Sequence, residues 1–303
     1  MKGFLFLSKI FAPPTRLALC AIDEQISFSQ IFYHMDPQKH HPLFRQIPLG
    51  QFILLPAFLL ILISCGGEKE ATQKLPDSPV FTLVFMDKTQ SVHVDKNYVN
   101  DKYRQALTDI VESNMRNKGD KLEVYFIHEN TSKARALSLT VRSEIEDLEG
   151  VNATDREGIE TAFQLSLQKE KGIYLRQLLA KLNQQNTGAS NMSTDIWASL
   201  PVIAKAAESG AEVKVYYFSD MVESVKGSDR RDFHIKPPKS DAEAEVDAKA
   251  DIKKLEQYAI GSPQVTIVSP FEPTASSKEN NPHITHYWQT LFQELGGVSI
   301  EEL

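Results

Sequence analysis

Pro79-Val-Phe-Thr-Leu-Val-Phe-Met86, followed at once by Asp87-Lys-Thr-Gln-Ser91, is the stretch that decides the fold of this chain. A near-continuous apolar run of strand length, with no polar alternation, is what a strand buried on both faces requires. Such strands occupy the middle of parallel sheets covered by helices on both sides, so the polar pentapeptide falls at a carboxyl end of the sheet. Lys121-Leu-Glu-Val-Tyr-Phe-Ile-His128 and Glu212-Val-Lys-Val-Tyr-Tyr-Phe218 read as further core strands, and Gln264-Val-Thr-Ile-Val268 as a shorter one. Ala136-Leu-Ser-Leu-Thr-Val-Arg142 alternates, which suits a half-exposed edge strand.

Helical periodicity fills the gaps. Residues 97–117 place Tyr103, Leu107, Ile110 and Val111 on one face, with Gly119 as the stop. A long helix is expected over 155–186, with Ile159, Phe163, Leu167, Leu175, Leu178, Leu179 and Leu182 as its apolar positions and Gly172 as a place to bend. A polar loop, 186–194, leads into a helix at 195–208. Residues 225–240, with Pro237-Pro238, read as a surface loop. A charged helix at 241–259, whose Lys, Glu and Asp form a solvated face, and a last helix at 283–295 with Tyr287, Trp288, Leu291, Phe292 and Leu295 complete the order. Strands alternating with helices imply an α/β, doubly wound, mainly parallel sheet with helices on both faces and one antiparallel edge strand.

Upstream, Gln51-Phe-Ile-Leu-Leu-Pro-Ala-Phe-Leu-Leu-Ile-Leu-Ile-Ser64 is apolar and ends abruptly at Cys65-Gly-Gly-Glu-Lys-Glu. It is short for a membrane span and right for the apolar region of a signal peptide, with Lys39 and Arg45 before it. Leu62-Ile63-Ser64-Cys65 resembles the lipobox of bacterial lipoproteins, in which a small residue precedes the cysteine that is acylated and becomes the mature N-terminus. Cys20 follows the bulky Leu19 in a run broken by Pro13, Pro14 and Arg16, and does not fit. The resemblance implies residues 1–34 as a mis-assigned extension before a start at Met35, a signal peptide over 35–64, a flexible tether over 65–78 and one domain over 79–303. Gly66 rather than Asp after the anchor implies the outer membrane of a diderm bacterium.

Composition sets outer bounds. Hydrophobic residues make up 42% of the chain, enough to bury a core. The net charge of -7 argues against nucleic acid as a general partner, since no counterion release would favour it. Cys20 and Cys65 are the two cysteines, so no disulfide framework holds the domain.

Three polar clusters stand at the expected strand ends: Asp87-Lys-Thr89-Gln-Ser91, Ser193-Thr194-Asp195 and Ser219-Asp220. Here the chain resembles a von Willebrand factor A domain, a Rossmann-like fold. Its metal-ion-dependent adhesion site consists of Asp-x-Ser-x-Ser after the first strand, a Thr on a later loop and an Asp after the next core strand. By position, Asp87, Thr89 and Ser91 match the first element, Thr194 the second and Asp220 the third, with Thr89 a departure that keeps the hydroxyl. The resemblance runs over about 79–300 in element order. Hydroxyls, carboxylates and water are hard oxygen ligands, suited to Mg²⁺, Mn²⁺ or Ca²⁺ and not to Zn²⁺. Ser91 and Thr89 would bind directly, Thr194 directly or through water, and Asp87 and Asp220 directly or through water. Neutral hydroxyls leave much of the ion's charge for a carboxylate offered by a partner protein. The expectation is a lipid-anchored binding module without catalysis.

Other readings compete. Strand-end Ser, Thr and Asp are also ordinary turn and helix-cap residues, as in a scaffold without a metal. Asp87-Lys88-Thr89-Gln90-Ser91 also looks like the phosphorylation motif of P-type ATPases, within the haloacid-dehalogenase-like phosphotransferases, with Asp87 as nucleophile. Gln90 replaces its Gly, Ser91 its final Thr, and no Gly-Asp-Gly-x-Asn-Asp element follows. His93 beside the first cluster reads as an exposed loop residue, and His283 with His286 as a polar pair at a helix start before a metal pair.

Overall fold

The structure, a computed structural model, describes residues 78–89, 92, 97–185, 192–278 and 280–303. Cys20, Met35, Cys65, Ser91 and His93, and with them the extension, signal peptide and tether up to residue 77, lie outside the described residues. Six strands form one sheet: β1 (Val80–Asp87), β2 (Lys121–Ile127), β3 (Arg135–Thr140), β4 (Glu212–Phe218), β5 (Gln264–Val268) and β6 (Ser299–Glu302). Their order across the sheet is β3-β2-β1-β4-β5-β6. All neighbours run parallel except β3, the antiparallel edge strand beside β2. The doubly wound expectation holds.

Helices cover both faces because β1 is apolar on both. Val84 and Met86 face the core made with α1 (Asn97–Asn114) and α2 (Ala153–Asn183). Leu83 and Phe85 face the core made with α3 (Leu200–Ala207), α4 (Asp241–Leu255) and α5 (Pro282–Glu294). On that second face a chain of rings runs from the sheet into α5, with Phe85 against Tyr217 at 5.0 Å, Tyr217 against Phe292 at 5.5 Å and Phe292 against Trp288 at 5.6 Å. Aromatic pairs in such contact contribute roughly 0.5–1.5 kcal/mol each beyond the area they bury.

Element limits shift for local reasons. α1 stops at Asn114, three residues before the expected end, because the buried Asp120 carboxylate accepts from the N–H groups of Arg116 and Asn117 at 2.7 Å each and of Val80 at 2.8 Å. That carboxylate ties the exit of α1 to the start of β1, and Gly119 makes the turn at a φ of +96°. α2 begins on Asn152, whose side chain caps Asp155 N–H, and runs unbroken through Gly172. The expected helix at 195–208 opens instead as a tight 3-10 turn at Trp197–Ser199. The segment 225–240 is more than a surface loop, since Phe233 is buried and stacks edge-on against Tyr287 at 5.0 Å. β6 was not expected; only four residues long, with Ile300 its single apolar residue, it is a strand because β5 offers it an edge.

This winding creates one topological switch. From β1 the chain steps to β2 on one side, and it later returns to β4 on the other. In folds wound this way ligands bind outside the carboxyl ends of the strands at the switch, which here are β1 and β4.

Candidate functional site

Asp87 ends β1 at that switch point and is only 2% exposed. Its Oδ1 accepts the backbone N–H of Thr89 at 2.8 Å and the Thr89 hydroxyl at 2.6 Å, a tight turn through the side chain. Its Oδ2 accepts the Ser219 hydroxyl at 2.7 Å from the end of β4. Thr194 arrives from the loop after α2, and its hydroxyl donates to Thr89 Oγ1 at 3.4 Å. Asp87, Thr89 and Thr194 thus share one buried, hydrogen-bonded cluster although Thr194 lies 105 residues beyond Thr89.

Asp220 follows Ser219, and its Oδ1 accepts Val222 N–H at 3.1 Å. It is close enough to Asp87 for their repulsion to register: burial first, then the Asp220 charge, push the Asp87 carboxyl up from 3.8 to about 7. The Thr89 and Ser219 hydrogen bonds offset part of that rise. Lys88 sends its ammonium elsewhere, donating to the Leu182 carbonyl at 2.6 Å and lying 5.1 Å from the Phe126 ring centre. Burial lowers the Lys88 amine to about 8, against a smaller opposing pull from Asp87.

Three contributors were not singled out as site residues in the sequence. Ser219 was legible as the neighbour of Asp220, but its bond to Asp87 depends on β4 lying beside β1. Tyr103 read as a core position of α1. Its ring packs edge-on against Phe218 at 4.9 Å, and burial together with the charges of Asp87 and Asp220 raises its phenol well above 10. The Tyr103 hydroxyl is buried and has no hydrogen-bond partner among the described residues. Met221, directly after Asp220, holds a left-handed φ of +59°, a conformation costly for a non-glycine residue. The Trp288 indole N–H from α5 donates to its carbonyl at 2.8 Å and keeps it there.

The donor types fit a hard cation: two carboxylates and clustered hydroxyls. Among the described residues no three His, Cys, Asp or Glu side chains gather into a metal site of their own. The two histidines of the last helix each meet a carboxylate of α4, His283 Nδ1 with Asp241 at 2.7 Å and His286 Nε2 with Glu245 at 3.3 Å.

No family model matches the sequence, and no curated protein does. Solved structures similar to it include the pilus adhesin SpaC from Lactobacillus rhamnosus GG in its open conformation, at 11% identity over 76% of this chain and 28% of that one, with a TM-score of 0.36. A von Willebrand factor type A protein from Catenulispora acidiphila is similar at 11% identity over 75% of this chain and 39% of that one, with a TM-score of 0.32. The human COPII-coat protein Sec24c is similar at 13% identity over 76% of this chain and 30% of that one, with a TM-score of 0.32. The chain spans well under half the length of each. At such identities and scores the likeness carries no argument about this chain.

Proposed function

We propose that this chain is a lipid-anchored, extracytoplasmic protein-binding module whose binding depends on a divalent cation. Mg²⁺ is the expected ion, with Mn²⁺ or Ca²⁺ able to replace it. Asp87, Thr89, Ser91, Thr194 and Asp220 would hold it, Ser91 entering by its resemblance to the family pattern. The observation that carries the reading is the convergence of Asp87, Thr89 and Thr194 in one buried cluster beside a second carboxylate. Holding the buried Asp87 carboxylate beside the charge of Asp220 is costly, and a bound cation offsets that cost.

The rest follows from charge. Hydroxyl ligands leave a divalent ion only partly neutralised, so a carboxylate from a partner protein would complete its shell. Cys65 would carry the lipid anchor, placing the module on the cell envelope, with the outer membrane as the expected address. No step of catalysis is assigned to the site.

Calorimetric titration with Mn²⁺ tests the reading. The wild-type domain should bind, while Asp87→Ala should not bind and should keep its circular dichroism spectrum. Unchanged binding in the folded variant would remove the site. Extraction from membranes with and without a chelator should then separate cation-dependent partners from the rest.

A further inference from the structure

The segment after β4 holds the described end of the loop that carries Thr194. Ser224 Oγ accepts Thr194 N–H at 2.9 Å, and Ser224 N–H donates to the Thr194 carbonyl at 3.0 Å. One residue earlier, Glu223 is fully buried, and its Oε2 accepts Ile196 N–H at 2.7 Å and Trp197 N–H at 3.4 Å. Its Oε1 accepts from the Arg230 guanidinium, which also donates to Asp195 Oδ1. Asp195 Oδ1 in turn accepts Ala198 N–H at 3.0 Å. A short antiparallel bridge between Ser224 and Asp232 folds the chain back so that Arg230 reaches both acids, and its guanidinium lies 4.7 Å from the Trp197 ring centre.

We propose that Glu223, braced by Arg230, is a positioning residue that locks the Thr194 loop to the Asp220 loop and so preassembles the cation site. This rests on the cation reading above and adds to it a cause for the site's geometry. Glu223 itself is no ligand, since its oxygens are occupied by backbone N–H groups and a guanidinium. Hydrogen bonds donated by a charged guanidinium are about twice as strong as neutral ones, and a fully buried carboxyl group holds its partners in narrow geometry. Thr194 and Asp220 therefore move as one unit, although they come from different crossovers of the sheet.

The test is a double-mutant cycle on Mn²⁺ affinity, with thermal unfolding of the cation-free domain measured alongside. Glu223→Gln keeps the shape but puts an NH₂ donor where one of the two accepting oxygens stood, opposite backbone N–H groups or the Arg230 guanidinium; it should weaken the Kd about tenfold in the otherwise wild-type domain. In a Thr194→Val background, where the hydroxyl it positions is gone, the same change should cost less than about twofold. A residue that only supports the fold would lower the melting temperature and leave the Kd of the folded domain alone. If Glu223→Gln does not fold, Ser224→Ala replaces it, with an expected weakening of about threefold from the lost Thr194 N–H acceptor. Equal losses in both backgrounds, or no loss in the folded variant while the wild type binds and Asp87→Ala does not, would overturn the positioning role alone. A wild-type domain that binds no Mn²⁺ would overturn it together with the cation reading.

Discussion

Replacing Asp87 by Asn should stabilise the cation-free domain at neutral pH while removing its response to divalent ions. The magnitude follows from the carboxyl's displacement from 3.8 to about 7, which corresponds to roughly 4 kcal/mol of native-state cost once the group is ionised. The sign is fixed by proton counting. Between those two values the native state binds more protons than the unfolded chain, so wild-type stability falls as pH rises from about 4 to about 7 and levels off above. Asn carries no such cost. Its amide oxygen can still accept from Thr89, but its NH₂ cannot accept from Ser219 Oγ, and the hydroxyl must reorient. Allowing about 1–2 kcal/mol for that bond leaves a net gain of roughly 2–3 kcal/mol. Differential scanning calorimetry in a chelator at pH 8 should therefore show the variant melting about 4–10 °C higher, with the advantage vanishing at about pH 5 and reversing at about pH 4, where only the lost bond counts. Added Mg²⁺ at a hundredfold excess over its Kd should raise wild-type stability by about 2.7 kcal/mol and leave the variant unmoved. A variant less stable than wild type in chelator at pH 8 would refute the claim that the Asp87 charge is held at a cost.

Other consequences follow from the same geometry. Because the cation must displace the Asp87 proton, Mn²⁺ affinity should rise up to about tenfold per pH unit from pH 5 to 7 and flatten above; a pH-independent Kd in calorimetry would contradict this. Trp288→Phe removes the donor that holds the Met221 carbonyl and should cost about 1–3 kcal/mol, read as a lower urea midpoint at unchanged slope. A midpoint equal to wild type would show that the strained turn needs no such clamp. Cys65→Ser should release the protein from the membrane fraction and abolish labelling by a fatty-acid analogue, and persistent labelling would point to a different anchor.

Most of the architecture is legible along the chain because it depends on periodicity. The run before Asp87 has no polar alternate, so it could only be a strand covered on both sides, and the alternation at 136–142 marked the edge strand now seen as β3. β6 escaped because four residues carry too little pattern, and the early end of α1 escaped because Asp120 acts through the fold and not through helix propensity. Asp87, Thr89, Thr194 and Asp220 stood out as polar residues at strand ends. That the first three hydrogen-bond as one cluster is a property of the winding, in which β1 and β4 become neighbours.

The amino-acid order alone determined the layers of the domain, the strand ends and the residue types able to hold a hard cation, since these depend on spacing and side-chain chemistry within short windows. Only the tertiary structure decided that Ser219 bonds Asp87, that Tyr103 is buried against Phe218 at the end of β4, and that Glu223 and Arg230 bind the Thr194 loop. Each of these contacts joins segments separated by other elements, and no local pattern encodes which distant oxygen a buried donor will meet.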